Sequence, residues 1–259
     1  MFVDLQTFLQ PRRNKWLIIL IAAVIIVGGV SSWLMLPHGS SSWNPSSAKV
    51  VIVDQLDGSY PNQSFREQVT DLMNMYDLRV DYYGHNEVTV DLFRNLLRND
   101  YQLIILRVHA ATGFAAGQPS RLAMFTGEPY SKNKYIWEQI NNQVERVRVT
   151  PDSDSYFGIY ESFVSDEMKG NCTNATVVMM GCDGLTHTKM AEAFIDNGAQ
   201  AYVGWDGMVN ADYVDRAATA FLSYYIEENR SVEPAIDYVM DTIGPDPVFG
   251  SEIAAFYNT

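Results

Sequence analysis

Residues 16–36 read WLIILIAAVIIVGGVSSWLML, 21 positions without a charge. No other feature narrows the folds open to this chain so far. Inside a bilayer a lone apolar segment must satisfy its backbone polar groups internally, which leaves the helix as its form. At about 1.5 Å rise per residue, a run of this length covers a hydrocarbon core of roughly 30 Å. Arg12, Arg13 and Lys15 precede the run, and no Lys or Arg follows until Lys49. Basic residues stay on the cytoplasmic side, so residues 1–15 are expected inside and the rest outside, in a single-pass membrane protein. Trp16 and Trp33 suit the two interfaces. A cleaved signal peptide would have the same orientation, but its apolar core is normally about 7 to 15 residues, and the length here favours a retained anchor. Residues 37–48 (PHGSSSWNPSSA) read as a short Ser/Pro-rich linker.

The outer part, 49–259, is the globular domain. Asp4, Arg12, Arg13 and Lys15 hold all the charge before it, so 15 basic and 30 acidic residues remain and the domain carries −15. Nucleic acid is excluded as a partner on that sign. The expected partners are the lipid bilayer, through 16–36, and a peptide or protein substrate. Four Asn-X-Ser/Thr triplets (Asn62, Asn171, Asn174 and Asn229) fall on the predicted outer side, as glycosylation there would require.

Apolar β-branched runs alternate with helical patterns along the domain. Strands are expected at 49–54 (KVVIVD), 79–83, 102–108 (QLIILRV), 122–126, 156–160, 176–181 (TVVMMG) and 201–205 (AYVGW). Helices are expected at 64–76, 89–98, 132–144, 162–168, 186–197, 210–228 and 232–242, the first with Phe65, Val69, Leu72, Met73 and Tyr76 on one face. This alternation predicts one α/β domain, a mostly parallel sheet between helices on both faces.

Ligands of such sheets bind beyond the carboxyl ends of the strands. His109 follows the 102–108 strand and Cys182 follows the 176–181 strand, so an imidazole and a thiol leave the same edge. Neutral imidazole can take a thiol proton, and the thiolate is a competent nucleophile. His187 is an alternative base. A Cys172–Cys182 disulfide is disfavoured, because a six-residue strand of about 20 Å separates two Cα atoms that would need to lie within about 7 Å. Asp54, Asp57, Asp183 and Asp206 crowd the same edge. They read either as ordinary Asp-Gly turns or as a pocket for Lys or Arg side chains, with a divalent cation such as calcium as a further option. No cofactor or protein-bound metal is required by any motif.

The two segments LIILRVHAATG and TVVMMGCDGLTHTKMAEAFIDNGAQAYVGW resemble caspase-like cysteine peptidases, and among them the CHAT and gingipain types. The resemblance implies a three-layer α/β sandwich with a caspase-like (flavodoxin-like) sheet. It further implies a His109/Cys182 dyad and an oxyanion hole from the backbone of Ala110 and Cys182. Asp57, Asp183, Trp205 and Asp206 would then line the substrate site. Two other functions fit the same residues: a catalytically inactive surface or interaction domain, and a metal-dependent hydrolase using the Asp-Gly edge.

Overall fold

A computed structural model describes residues 48–113, 120–228 and 231–257. The predicted anchor, nearly all of the linker and Asn229 lie outside the described residues. Among the described residues no helix is long and apolar enough to cross a membrane.

The main sheet has six strands: β1 (Lys49–Asp54), β2 (Arg79–Gly84), β3 (Leu103–Arg107), β8 (Thr176–Met179), β9 (Ala201–Trp205) and β10 (Ile253–Tyr257), in the order β10-β9-β8-β3-β1-β2. The first five are parallel, and β10 runs antiparallel to β9 at the edge. Strands β1, β3, β8 and β9 are buried or nearly so throughout, as a sheet covered on both faces requires.

Alternate strand residues feed two cores. Val51, Val53, Ile104, Leu106, Val177 and Met179 join one cluster with α2 (Val90–Leu96), α4 (Glu161–Asp166) and α5 (Lys189–Asp196). The opposite parity faces α1 (Gln63–Met75) and α6 (Ala211–Glu227), the side on which Asp54 and Arg107 meet Asp215. Helix α1 starts where the Asn62 side chain accepts the Phe65 N–H at 3.1 Å, and it buries Phe65, Val69, Leu72 and Met73. Asn210 caps α6 in the same way. Helix α7 (Val232–Thr242) packs on α6.

A second, antiparallel sheet was not foreseen. It has the order β4-β5-β7-β6, from β4 (Ala110–Gly113), β5 (Arg121–Pro129), β6 (Val144–Val147) and β7 (Tyr156–Ile159). Leu122, Met124, Val144, Phe157 and Ile159 pack into the α2/α4/α5 core. The expected strands near 122–126 and 156–160 therefore exist but belong to this sheet. The expected helix at 132–144 shrinks to α3 (Ile136–Ile140), since Tyr135 (φ +50°) and Asn142 (φ +55°) take left-handed backbone on either side of it. Residues 110–113, for which no element was expected, are strand β4. The 186–197 helix begins only at Lys189.

Candidate functional site

In a doubly wound sheet the crevice opens where the strand order reverses. Here that point is the β1/β3 boundary, and the segments leaving β1, β3 and β8 converge on it. Strands β3 and β8 are neighbours, with Leu106 opposite Met179. Continuing that register by three residues sets His109 opposite Cys182. Gly181 allows the two strand ends to close up: a Cβ there would lie 2.6 Å from the Val108 carbonyl oxygen and 2.8 Å from the Met179 methyl. His109 and Cys182 both line a cavity of about 300 Å³, together with Leu56 and Tyr60 after β1 and residues 209–212 and Val214 at the start of α6.

His109 is held on several sides. Its backbone N–H donates to Gln55 Oε1 (2.8 Å), and its carbonyl accepts from the Phe125 N–H (2.8 Å). Ring atom Nε2 lies 3.2 Å from Ser59 Oγ. Tyr60 meets the ring edge-on at 5.8 Å between centroids, and Phe125 stands at 5.9 Å. Burial pushes the imidazole pKa below its ordinary value, and electrostatic interaction with His85 and Arg107 adds to this. The resting ring is therefore neutral at pH 7, the form a general base needs.

Cys182 is half-buried, with Sγ 3.8 Å from the Val209 carbonyl oxygen. Burial pushes its thiol pKa up. The Val209 backbone opposes that, and the negative charge of Asp183 and Asp246 adds to it. Both groups are thus held toward their neutral forms, a thiol and an imidazole that line the same cavity. Cys172 is also a free thiol, buried under α5 with Sγ 3.4 Å from the Asn197 carbonyl, and burial lifts its pKa to about 11. The separation of the two cysteines expected from the strand between them holds.

The other expected site residues do not join the cavity. Asp183 takes a left-handed backbone (φ +59°), and its carboxylate accepts from Thr186 Oγ1 (3.0 Å) and Thr112 Oγ1 (3.5 Å). Asp206 Oδ1 accepts the Glu252 N–H at 2.8 Å. Asp57 belongs to a short 3-10 turn capped by Asp54. Trp205 is fully buried opposite Ile253, out of reach of any substrate. Ala110 opens β4 opposite Met124. His187 does not line the cavity. Asn171 and Asn174 are exposed, whereas Asn62 Nδ2, the atom a glycan would occupy, donates to Asp215 Oδ2 at 2.8 Å. Among the described residues no cluster of three or more His, Cys, Asp or Glu could hold a metal ion.

Ser59, Gln55 and Arg107 were not anticipated. Arg107 is fully buried beneath the site and reaches Asp215 through Nε (2.7 Å) and Nη2 (2.8 Å), Asp54 through Nη1 (2.7 Å) and the Tyr60 carbonyl through Nη2 (2.8 Å). It fastens β1, β3, α6 and the Tyr60 loop together. An arginine inside a buried strand signals such a network in the sequence, since an unpaired buried charge is too costly to keep. With this geometry in view, no protein-family model matches the chain, and no curated protein matches it.

Proposed function

We propose that this chain is a membrane-anchored, extracytoplasmic cysteine peptidase of caspase-like type, with Cys182 as nucleophile and His109 as base. One observation carries the reading: the two side chains leave adjacent parallel strands into a single cavity at the β1/β3 switch point. The reading extends to the three-layer caspase-like sandwich and to the 16–36 anchor, which rests on the uncharged run and its basic flank.

The chemistry follows from the resting charges. His109 takes the Cys182 proton as sulfur attacks a peptide carbonyl, and a C–S bond forms. The imidazolium then gives that proton to the leaving nitrogen, the C–N bond breaks, and an acyl-enzyme remains. Water, deprotonated by His109, attacks the thioester; the proton returns to sulfur and the acid is released. Ser59 Oγ, by accepting from Nε2–H, would leave Nδ1 as the basic nitrogen. Ala110 is suited to the oxyanion role. The Phe125 N–H to His109 carbonyl bond makes Ala110–Met124 a non-hydrogen-bonded pair, so the Ala110 N–H points away from β5 at the open sheet edge.

A second reading, a non-catalytic binding domain, draws support from the raised thiol pKa of Cys182. Hydrolysis of a mixed peptide library by full-length protein separates the two. We predict that Cys182→Ala lowers the rate at least about 10³-fold while the chain stays folded. Cleavage at equal rates by wild type and Cys182→Ala would end the peptidase reading.

A further inference from the structure

The acidic residues at the carboxyl edge suggested a site for basic side chains, but they face elsewhere. The carboxylates of Asp183 and Asp206 are engaged by Thr186, Thr112 and the Glu252 N–H, and Asp57 does not reach the cavity. Leu56, Val108, Met180, Val209, Val214 and Phe249 supply the apolar part of the lining, and Asn210 adds a neutral polar side chain. Among the described residues the one carboxylate lining the cavity belongs to Asp212, on the exposed first turn of α6. Tyr60 (51% exposed) and Phe249 (46%), both lining the cavity, offer further apolar surface to solvent. A volume of about 300 Å³ is at the small end of ligand sites, room for one large side chain and the bond beside it.

From this we infer that the cavity is a specificity pocket for one uncharged apolar side chain of leucine, methionine or phenylalanine size, next to the carbonyl that Cys182 attacks. The position of that carbonyl rests on the peptidase reading; the choice of side chain rests on the lining alone. A lysine or arginine head would lose its hydration against Val108, Val209 and Val214, with only the solvent-exposed carboxylate of Asp212 to replace it. Leucine or phenylalanine gives up only apolar hydration there.

Protection of Cys182 tests this without requiring turnover. Full-length protein is treated with iodoacetamide, and modification at Cys182 is timed by mass spectrometry in the presence of the N-acetyl amides of leucine, phenylalanine or lysine. The thermal midpoint with each amide is recorded in parallel, since a ligand of the native state raises it. The leucine and phenylalanine amides are expected to protect, and to raise the midpoint, at concentrations about tenfold lower than the lysine amide. Phe249→Glu, a change at an exposed rim position, is expected to shrink or reverse that ranking. Equal or better action by the lysine amide, no effect of any amide in either measurement, or an unchanged ranking in Phe249→Glu would overturn the pocket. Hydrolysis of leucyl and lysyl coumarylamides separates the two claims. Protection without hydrolysis removes the peptidase and keeps the pocket, while hydrolysis that prefers lysine does the reverse.

Discussion

At the residue scale, the central fact is that His109 and Cys182 are both driven toward their neutral forms by burial. The native imidazole takes up its proton at lower pH than in the unfolded chain, whose value lies near about 6.5. Its contribution to stability is therefore complete above about pH 6.5 and is lost as pH falls toward the depressed native value. We predict that the melting temperature of wild type drops more steeply below pH 6.5 than that of His109→Gln; parallel curves would mean that the ring is as well hydrated in the fold as outside it. The pair was legible because both residues end long apolar runs, and strand ends are where a parallel sheet presents chemistry. Ser59 and Gln55 were not, because a loop of the form QLDGSYPNQ carries no periodicity to say which side chain turns inward. The acids misled for a related reason. Sequence places Asp183 at the edge, but Thr112 and Thr186, distant or local partners without a signature, decide where its carboxylate turns.

At the element scale, the parallel strands and the helices α1, α6 and α7 were readable from unbroken apolar runs and a 3.6-residue stripe. The antiparallel sheet was not. Strands β5 and β7 were expected but not their antiparallel pairing; β6 has four residues, too short for alternation to stand out, and β4 follows β3 with only Val108–His109 between them. Strand β10 is half-buried and closes only an edge, so its pattern is weak. What matters most for the site is the closeness of the β3 and β8 ends, which depends on Gly181. Gly181→Ala pushes a methyl against the Val108 carbonyl, an overpacking that costs about 1–3 kcal/mol. The substitution also moves His109 and Cys182 apart, so on the peptidase proposal we predict an activity loss of at least about tenfold beyond the loss of folded protein, because sub-ångström placement of reacting groups sets the rate. Denaturant unfolding beside kcat/KM measures both; an unchanged kcat/KM in a stable variant would show that the strand ends need not touch.

At the scale of the whole molecule, the acidic excess was fully legible, and its sign argues against polyanionic partners. Residues 49–259 carry −15, and a compact body of that charge repels itself. Raising ionic strength from about 0.01 to 0.15 M shortens the screening length from about 30 to about 8 Å. We predict that the melting temperature rises over that interval and then levels; a fall would mean that attractive pairs outweigh the general repulsion.

The Arg107 network reaches back 53 residues to Asp54 and forward 108 to Asp215. On a ribosome the arginine would emerge long before its second carboxylate. Until α6 arrives, the end of β3 that leads to His109 holds a cation with half of its neutralisation, and burying it then is strongly unfavourable. The cavity wall therefore forms late in synthesis, and a nascent chain cannot present a finished site to its neighbours before it can fold around it.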